Sequence, residues 1–343
     1  MTRVAVIGAG VMGAVQARAC AELPDVTVAW IADQDQARAQ AIAGELGARA
    51  TTDNLTAITG DVDAVIVTVP TPFHRTVTEL AAAHGKHVFC EKPIARTLDD
   101  AEAMVAACER AGVRFMVGHV CRFFPEFVKI RDVLRVGTLG QIGLVRASRV
   151  SAHPPAERGW FANLAASGGM IVDLMIHDFD TLRWYFGDVE RVFAHGLSYT
   201  PYQPTSDYAL VVLRFANGVI AHVEGSWAHG SWRTAMEIVG EHGIVRHAGD
   251  GTAPIQVERP GPTIQESVVA RYAAANESPY QTELRHFFAR LADGTPFETE
   301  GREGVRALEI ALAALASVRC GRTFQFVDGR VRPDEIREEV PAA

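Results

Sequence analysis

The sequence predicts an α/β chain in two domains: a doubly wound parallel sheet at the N-terminus, followed by an α+β domain with antiparallel strands. Three observations predict it. The chain has 343 residues, more than one ordinary core accommodates. Its first third alternates short apolar strands with helical stretches, as strands covered by helices on both faces do. After residue 120 the pattern changes to longer strands. Asn217-Gly218 between two of these reads as a type I′ hairpin turn, which demands antiparallel pairing. The domains are therefore expected at 1–120 and 121–343.

In order, Val4 to Ile7 is a β-rich run that ends in glycines, and an alanine-rich helix follows over Val11 to Leu23. Val26 to Ala32 reads as a strand, Gln36 to Leu46 as a helix, and Asp63 to Val69 (DAVIVTV) as a buried strand. Arg75 to His84 is helical, His87 to Cys90 a strand, Leu98 to Ala111 a helix and Arg114 to Val117 a strand. Beyond these, Phe124 to Val136 is expected as a helix, Gly143 to Ser151 as a strand and Gly169 to Phe186 as one long helix. Strands follow over Val189 to Leu197, Tyr208 to Phe215, Val219 to Trp227 and Arg233 to Val239. Helices over Tyr280 to Leu291 and Arg302 to Arg319 close the chain, and no internal repeat interrupts it.

Composition narrows the function classes. Lys plus Arg number 33 against 41 Asp plus Glu, a net charge of −8 that disfavours nucleic acid or an anionic membrane as partner. The five cysteines stand singly, with no C-x-x-C pair, so neither a zinc knuckle nor a dithiol motif is expected. No apolar run reaches the roughly 18 residues a membrane span needs. Met1-Thr2-Arg3 runs straight into the first strand without a signal-peptide pattern, so a cytoplasmic location is expected.

Four patterns carry chemistry. Gly8-x-Gly10-x-x-Gly13 follows the first strand and opens the first helix, the context a dinucleotide pyrophosphate requires. Gly8 permits the turn, Gly10 lets phosphate approach the backbone, and Gly13 lets helix and strand pack. With Val11 and Met12 these residues form the expected phosphate cradle. Asp33 ends the second strand, 20 positions after Gly13, where a carboxylate binds ribose hydroxyls and repels a 2′-phosphate; NAD is favoured over NADP. Glu91-Lys92-Pro93 ends the strand over His87 to Cys90, at the edge where doubly wound sheets bind ligands, and an ammonium there can stabilise a developing alkoxide. Finally, Asp173, His177 and Asp180 are spaced i, i+4, i+7 on a largely apolar helix, so a helix would place them on one face. Histidine is the usual acid/base near neutral pH, and an acid one turn away can orient it. His and Asp are also metal ligands, but no third ligand has convincing spacing, and no metal is expected.

Together these patterns resemble the glucose–fructose oxidoreductase/inositol dehydrogenase/rhizopine-catabolism (Gfo/Idh/MocA) family. The matching pieces are GAGVMG, Asp33, VPTPFH ending at His74, CEKP at 90–93, GHVCRF at 118–123, Trp160-Phe161, GGMIVDLMIHDFD at 168–180 and Tyr280. The resemblance implies a Rossmann domain and an α+β domain with a large open, mainly antiparallel sheet. It implies Lys92, Asp173 and His177 as the catalytic set, and Val69, Pro70, Thr71, His74 and Glu91 beside the cofactor. It implies Arg122, His153 and Asp180 in the substrate pocket. The expected activity is hydride transfer between NAD and a secondary hydroxyl or ketone of a cyclitol or sugar. Cys121-Arg122-Phe123-Phe124-Pro125 departs from the two-arginine stretch of close inositol enzymes, so a cyclitol, a monosaccharide and a keto-sugar all stay open. The alternatives are a nucleotide-sugar or keto-sugar reductase of the same family, an enzyme that recycles bound cofactor, or a non-catalytic NAD(H) sensor. A sensor would have little reason to keep Lys92, Asp173 and His177 together. A homodimer or homotetramer is expected through the C-terminal sheet. The strand over Tyr208 to Phe215 carries Ala209, Val211, Leu213 and Phe215 on one face and Tyr208, Leu210, Val212 and Arg214 on the other, so both faces hold apolar groups.

Overall fold

A computed structural model describes residues 1–154, 159–198, 207–249, 278–332 and 335–336, together with the backbone of 255–260 and 267–272. The chain divides into two compact units. One holds Met1–Phe123 with Glu277–Val305, the other Phe124–Asn276 with Arg306–Ala343. The first unit thus takes in residues 277–305 as well as the N-terminal stretch.

The first unit is built on β1 (Thr2–Ile7), β2 (Val26–Ala32), β3 (Arg49–Thr51), β4 (Ala64–Val67), β5 (His87–Glu91) and β6 (Phe115–Gly118). They pair in parallel in the order β3-β2-β1-β4-β5-β6. The order reverses between β1 and β4, which makes the carboxyl ends of these strands the ligand edge. Val4 to Ile7 and Ala64 to Val67 are wholly buried, as strands covered on both faces must be. The helices are α1 (Val11–Ala21), α2 (Gln36–Leu46), α3 (Asn54–Thr59), α4 (His74–Ala83) and α5 (Leu98–Ala111). Their ends follow local chemistry. Asp35 caps α2 through the N–H groups of Ala37 and Arg38, Thr97 caps α5 through that of Asp100, and left-handed Gly47 and Gly112 end both helices. β3 and α3 are absent from the sequence reading because neither is long enough to show a period. Their boundary lies in the Asp53 carboxylate, which accepts from Leu55 and Thr56 N–H.

The second unit contains α6 (Pro125–Arg135), β7 (Ile142–Ala152), α7 (Leu164–Ser167), α8 (Gly169–Asp173), α9 (Ile176–Phe186), β8 (Val189–Leu197), β9 (Tyr208–Phe215), β10 (Ile220–Ser226) and β11 (Ala228–Gly240). β12 (Gly243–Ala248), β13 (Ile255–Pro260), β14 (Ser267–Tyr272), β15 (Phe324–Val327) and β16 (Arg330–Val331) complete its sheet. The order is β14-β13-β12-β11-β7-β10-β9-β8-β15-β16. Among the described residues every neighbouring pair is antiparallel except β7 with β10. The last helices are α10 (Pro279–Asp293), in the first unit, and α11 (Gly301–Cys320), which begins in the first unit and continues into the second. One sheet face is covered by helix. A Cβ on Gly225 of β10 would lie 2.4 Å from Met175, and Ala194 N–H of β8 donates to Ser317 Oγ of α11 at 2.9 Å. On the opposite face Leu210 and Ile220 are exposed.

Two local expectations change. The β9–β10 hairpin is antiparallel as read, but of its turn residues only Gly218 has positive φ (+92°), and its N–H closes the turn on the Phe215 carbonyl. That is a turn ended by a left-handed glycine rather than a type I′ pair, with Asn217 used instead to accept the Val219 N–H through Oδ1. The helix expected over Gly169 to Phe186 is broken into α8 and α9. Met175 N–H reaches back five residues to the Met170 carbonyl at 3.1 Å, alongside the ordinary Leu174 bond to the same oxygen at 2.9 Å. This wide turn shifts Asp173 relative to His177, so the i, i+4, i+7 face of a regular helix does not hold across it. Such steps concentrate at functional sites.

Candidate active site

The ligand edge of the first unit is a shaped cradle. Gly8 sits at φ +107°, and a Cβ there would lie 2.7 Å from the backbone of Thr68 and Val69. A Cβ on Gly13 would lie 1.8 Å from the Gly8 carbonyl oxygen. Gly10 differs: no heavy atom lies within 4 Å of a Cβ built on it. Two glycines are thus required by the protein's own packing, and the third keeps space open at the mouth of α1. Gly10 is the N-cap of α1 and brings no side-chain cap, so the helix's first N–H groups and its positive dipole end face that space. Thr68 Oγ1 fixes the turn from below, donating to the Gly8 carbonyl at 2.7 Å.

Asp33 joins the loops after β1 and β2. Its Oδ2 accepts from Ala9 N–H at 2.6 Å and its Oδ1 from Asp35 N–H at 2.8 Å. A carboxylate has about four acceptor sites, so two such bonds leave capacity for a pair of ribose hydroxyls. The open space at Gly10, the uncapped helix end and the spare carboxylate capacity fit a dinucleotide.

At the end of β5, Glu91 is buried. Its carboxylate accepts from Gln16 Nε2 at 2.7 Å and from the Lys92 backbone N–H at 3.2 Å, tying the cofactor helix to the lysine segment. Gln16 is wholly buried and was not among the expected site residues. Its signal was available, since it is the one polar residue in the buried stripe Gly13, Gln16, Ala17, Cys20 of α1. Lys92 precedes a cis peptide to Pro93 and is partly exposed. His74 is buried and works from behind. Nε2 faces the Val69 carbonyl at 2.9 Å, and Nδ1 faces those of Pro93 and Ile94 at 3.0 and 3.3 Å. Burial lowers its pKa, against the three carbonyls that raise it; the neutral ring carries one N–H and so donates to only one of these two sides.

Arg122 is held by other parts of its own unit. It is 3% exposed in the interior of the first unit, donating to the Glu298 carbonyl at 2.8 Å and to Glu303 Oε2 at 2.9 Å. Its charge is spent on residues that return from the far end of the chain, a pairing that one-dimensional position could not reveal.

In the second unit Asp173 ends α8, and His177 and Asp180 lie in the first turns of α9. His177 is partly exposed and Asp180 buried. Beside His177, Asp178 turns inward and forms a two-point ion pair with Arg149 of β7, Nε to Oδ2 at 2.7 Å and a terminal guanidinium nitrogen to Oδ1 at 3.1 Å. His153, just beyond β7, is partly exposed, and its Nε2 lies 2.9 Å from Asp207 Oδ1. The rings of Trp160 and Phe161 meet at a tilt with centroids 4.0 Å apart, and Phe161 meets Trp227 edge-on.

Comparison with known proteins places the chain. Residues 2–119 match the model of an oxidoreductase family with an NAD-binding Rossmann fold, and residues 127–246 match the GFO/IDH/MocA C-terminal domain. The chain belongs to the Gfo/Idh/MocA oxidoreductase family. It is 30% identical over 336 residues to an inositol 2-dehydrogenase of Rhizobium meliloti, covering 92% of this chain and 96% of that protein. It is 32% identical over 339 residues to a D-apiose dehydrogenase of Paraburkholderia graminis, covering 94% and 89%. An oxidoreductase of Agrobacterium radiobacter, solved with NAD+, L-tartaric acid and magnesium, superposes with a TM-score of 0.85 at 26% identity, over 94% of this chain and 98% of that one. This Gfo/Idh/MocA protein is an NAD-dependent oxidoreductase, similar to cyclitol and sugar dehydrogenases. Among its described residues no helix is long and apolar enough to cross a membrane.

Proposed function

We propose that this enzyme interconverts a secondary hydroxyl and a ketone on a cyclitol or sugar, with Lys92, Asp173 and His177 as its catalytic residues. The observation that carries the reading is the co-occurrence of a dinucleotide cradle, a lysine at the end of β5, and a histidine on the far side of a five-residue step from Asp173. NAD, when bound, supplies the hydride acceptor. The protein's residues supply the rest. His177 takes the hydroxyl proton as the carbinol carbon is oxidised. Lys92 donates a hydrogen bond to the same oxygen and offsets the charge it develops. Asp173 orients His177 or holds a neighbouring hydroxyl. Gly8, Gly10, Val11, Met12 and Gly13 hold the pyrophosphate, Asp33 the ribose, and Val69, Pro70, Thr71, His74, Glu91 and Lys92 lie beside the cofactor. His153 and Asp180 contact the substrate's other hydroxyls, where hydrogen bonding discriminates strongly against analogues that lack them.

The protein assembles as a dimer or tetramer through the open sheet face, on which exposed Leu210 and Ile220 lie. Leu210→Lys with Ile220→Lys should then yield a smaller species in sedimentation. A wild-type chain that sediments as a stable monomer at micromolar concentration removes the proposal. A cytoplasmic location is supported by cysteines that stand singly along the sequence, with no C-x-x-C pair.

The test of the activity is a panel of myo-inositol, scyllo-inositol, D-glucose and D-apiose with NAD, followed by absorbance of the reduced cofactor. Lys92→Ala and His177→Ala should each lower kcat by about 10²–10⁴-fold while NAD affinity changes little. The double variant should be less than multiplicative, because the two groups act as a unit. A folded His177→Ala enzyme with near-normal kcat removes the histidine from the chemistry.

A further inference from the structure

The His153 imidazole is held by a carboxylate that the resemblance does not include. Asp207 is wholly buried, whereas His153 is 28% exposed. Asp207 is anchored through its backbone at the point where four strands end. Its N–H donates to the Leu197 carbonyl of β8 at 2.9 Å. Its carbonyl accepts from Trp227 N–H at 2.9 Å, just past β10, and from Ser226 Oγ at 3.1 Å. The Ser226 hydroxyl oxygen in turn accepts from Ala228 N–H at 3.0 Å, and Ala228 pairs with Ala152 at the end of β7, one residue before His153. The carboxylate is therefore fixed relative to the strand end that carries the histidine. The imidazole also meets the Trp227 ring at a tilt, with centroids 5.6 Å apart.

An ionised carboxylate only accepts hydrogen bonds, so the contact of 2.9 Å between Asp207 Oδ1 and His153 Nε2 requires the proton on Nε2. In the neutral ring the other nitrogen, Nδ1, then carries a lone pair. Among the described residues Nδ1 has no hydrogen-bond partner.

We propose that Asp207 is a positioning residue that locks His153 in its Nε2–H tautomer, so that Nδ1 is presented as an acceptor for a substrate hydroxyl. The assignment of His153 to the substrate rests on the function proposed above; the tautomer lock does not. The lock has a consequence for specificity. An Nδ1 lone pair accepts from a hydroxyl but repels a carbonyl or ether oxygen. The position it reads is therefore one that stays a hydroxyl throughout, not the carbon being oxidised. Substrates methylated at that oxygen are excluded.

The direct test is long-range ¹H–¹⁵N correlation of the histidine rings in the full-length protein, at a pH above roughly 8 where ordinary imidazoles are neutral. His153→Gln assigns the signals. The wild type should show a protonated Nε2 and a pyridine-like Nδ1, and Asp207→Asn, whose amide can donate as well as accept, should give a mixed ring. An Nδ1–H tautomer or an averaged ring in the wild type overturns the lock, as does an unchanged ring in folded Asp207→Asn. Asp207→Leu, which offers no acceptor, serves if the asparagine variant does not fold. Kinetics are read on whichever of myo-inositol, D-glucose and D-apiose the wild type oxidises. Asp207→Asn should raise KM about tenfold, leave kcat within about twofold and leave NAD affinity unchanged, since a lost hydrogen bond of roughly 1.4 kcal/mol is a factor of ten. An unchanged KM with only a lowered melting temperature reduces Asp207 to a structural residue. If the wild type oxidises none of the three, the polyol reading fails on its own, and the ring spectrum still decides the lock.

Discussion

Arg149→Met removes one half of the ion pair beneath α9, and its cost can be worked from the geometry. Both side chains are 4% exposed, and the two are joined by a pair of bonds at 2.7 and 3.1 Å. With the guanidinium gone, Asp178 is left as an uncompensated carboxylate in an apolar interior. Breaking such a pair from one side costs about 3–5 kcal/mol. At roughly 2–4 °C per kcal/mol for a domain of 150–250 residues, the unfolding transition should fall by about 6–20 °C. Asp178→Leu should also destabilise, by removing the carboxylate that the guanidinium meets at two points. The double variant Arg149→Met/Asp178→Leu should recover most of the loss, because two apolar side chains of similar volume replace a pair whose attraction mainly offsets its own desolvation. Calorimetry of the four proteins gives the cycle. High salt should not reproduce the single-variant loss, since a buried pair is poorly screened. A single variant that loses less than about 2 °C, or a double variant whose losses simply add, refutes the account. Because Asp178 adjoins His177, the single variants should also lose activity at temperatures where they remain folded.

Four further outcomes follow from individual residues. Gly10→Ala should fold with wild-type stability, having no atom within 4 Å of the new Cβ, yet bind NAD weakly by calorimetric titration. Gly13→Ala should be destabilised by at least about 1–3 kcal/mol through collision with the Gly8 carbonyl, and wild-type NAD affinity in Gly10→Ala removes the cradle reading. Asp33→Ser should weaken NAD by about 1.5–3 kcal/mol and make NADP usable, and a wild type that already prefers NADP contradicts the ribose assignment. His74 has its pKa lowered by burial from the ordinary 6.5. Its contribution is complete above pH 6.5 and is lost as pH falls toward the folded value, because the unfolded chain binds the extra proton. His74→Gln should flatten the fall in stability below pH 6.5 by up to about 1.4 kcal/mol per pH unit in urea titrations, and an unchanged slope excludes His74 as its source.

Sequence by itself determined the parts of this enzyme whose physics is local. The parallel sheet was legible because its strands are buried on both faces and read as unbroken apolar runs. The cofactor turn was legible because a strand–helix junction at positive φ and a carbonyl 1.8 Å from a would-be Cβ both demand glycine, and glycine is visible in any sequence. The antiparallel hairpin at Asn217-Gly218 was legible for the same reason, although which residue takes the left-handed conformation was not. Tertiary structure alone decided the partners of the charged side chains. Arg122, aligned with a substrate pocket, is neutralised by Glu303 from 181 positions away, and Asp207 reaches His153 across 54. The break between α8 and α9 also escaped the sequence, since the Met175 bond to Met170 replaces the regular ladder without any glycine or proline to mark it. Periodicity reports which face of an element is apolar. It carries no record of which distant chain segment arrives to share a proton or a charge, and in this enzyme such arrivals hold His153 and anchor α9.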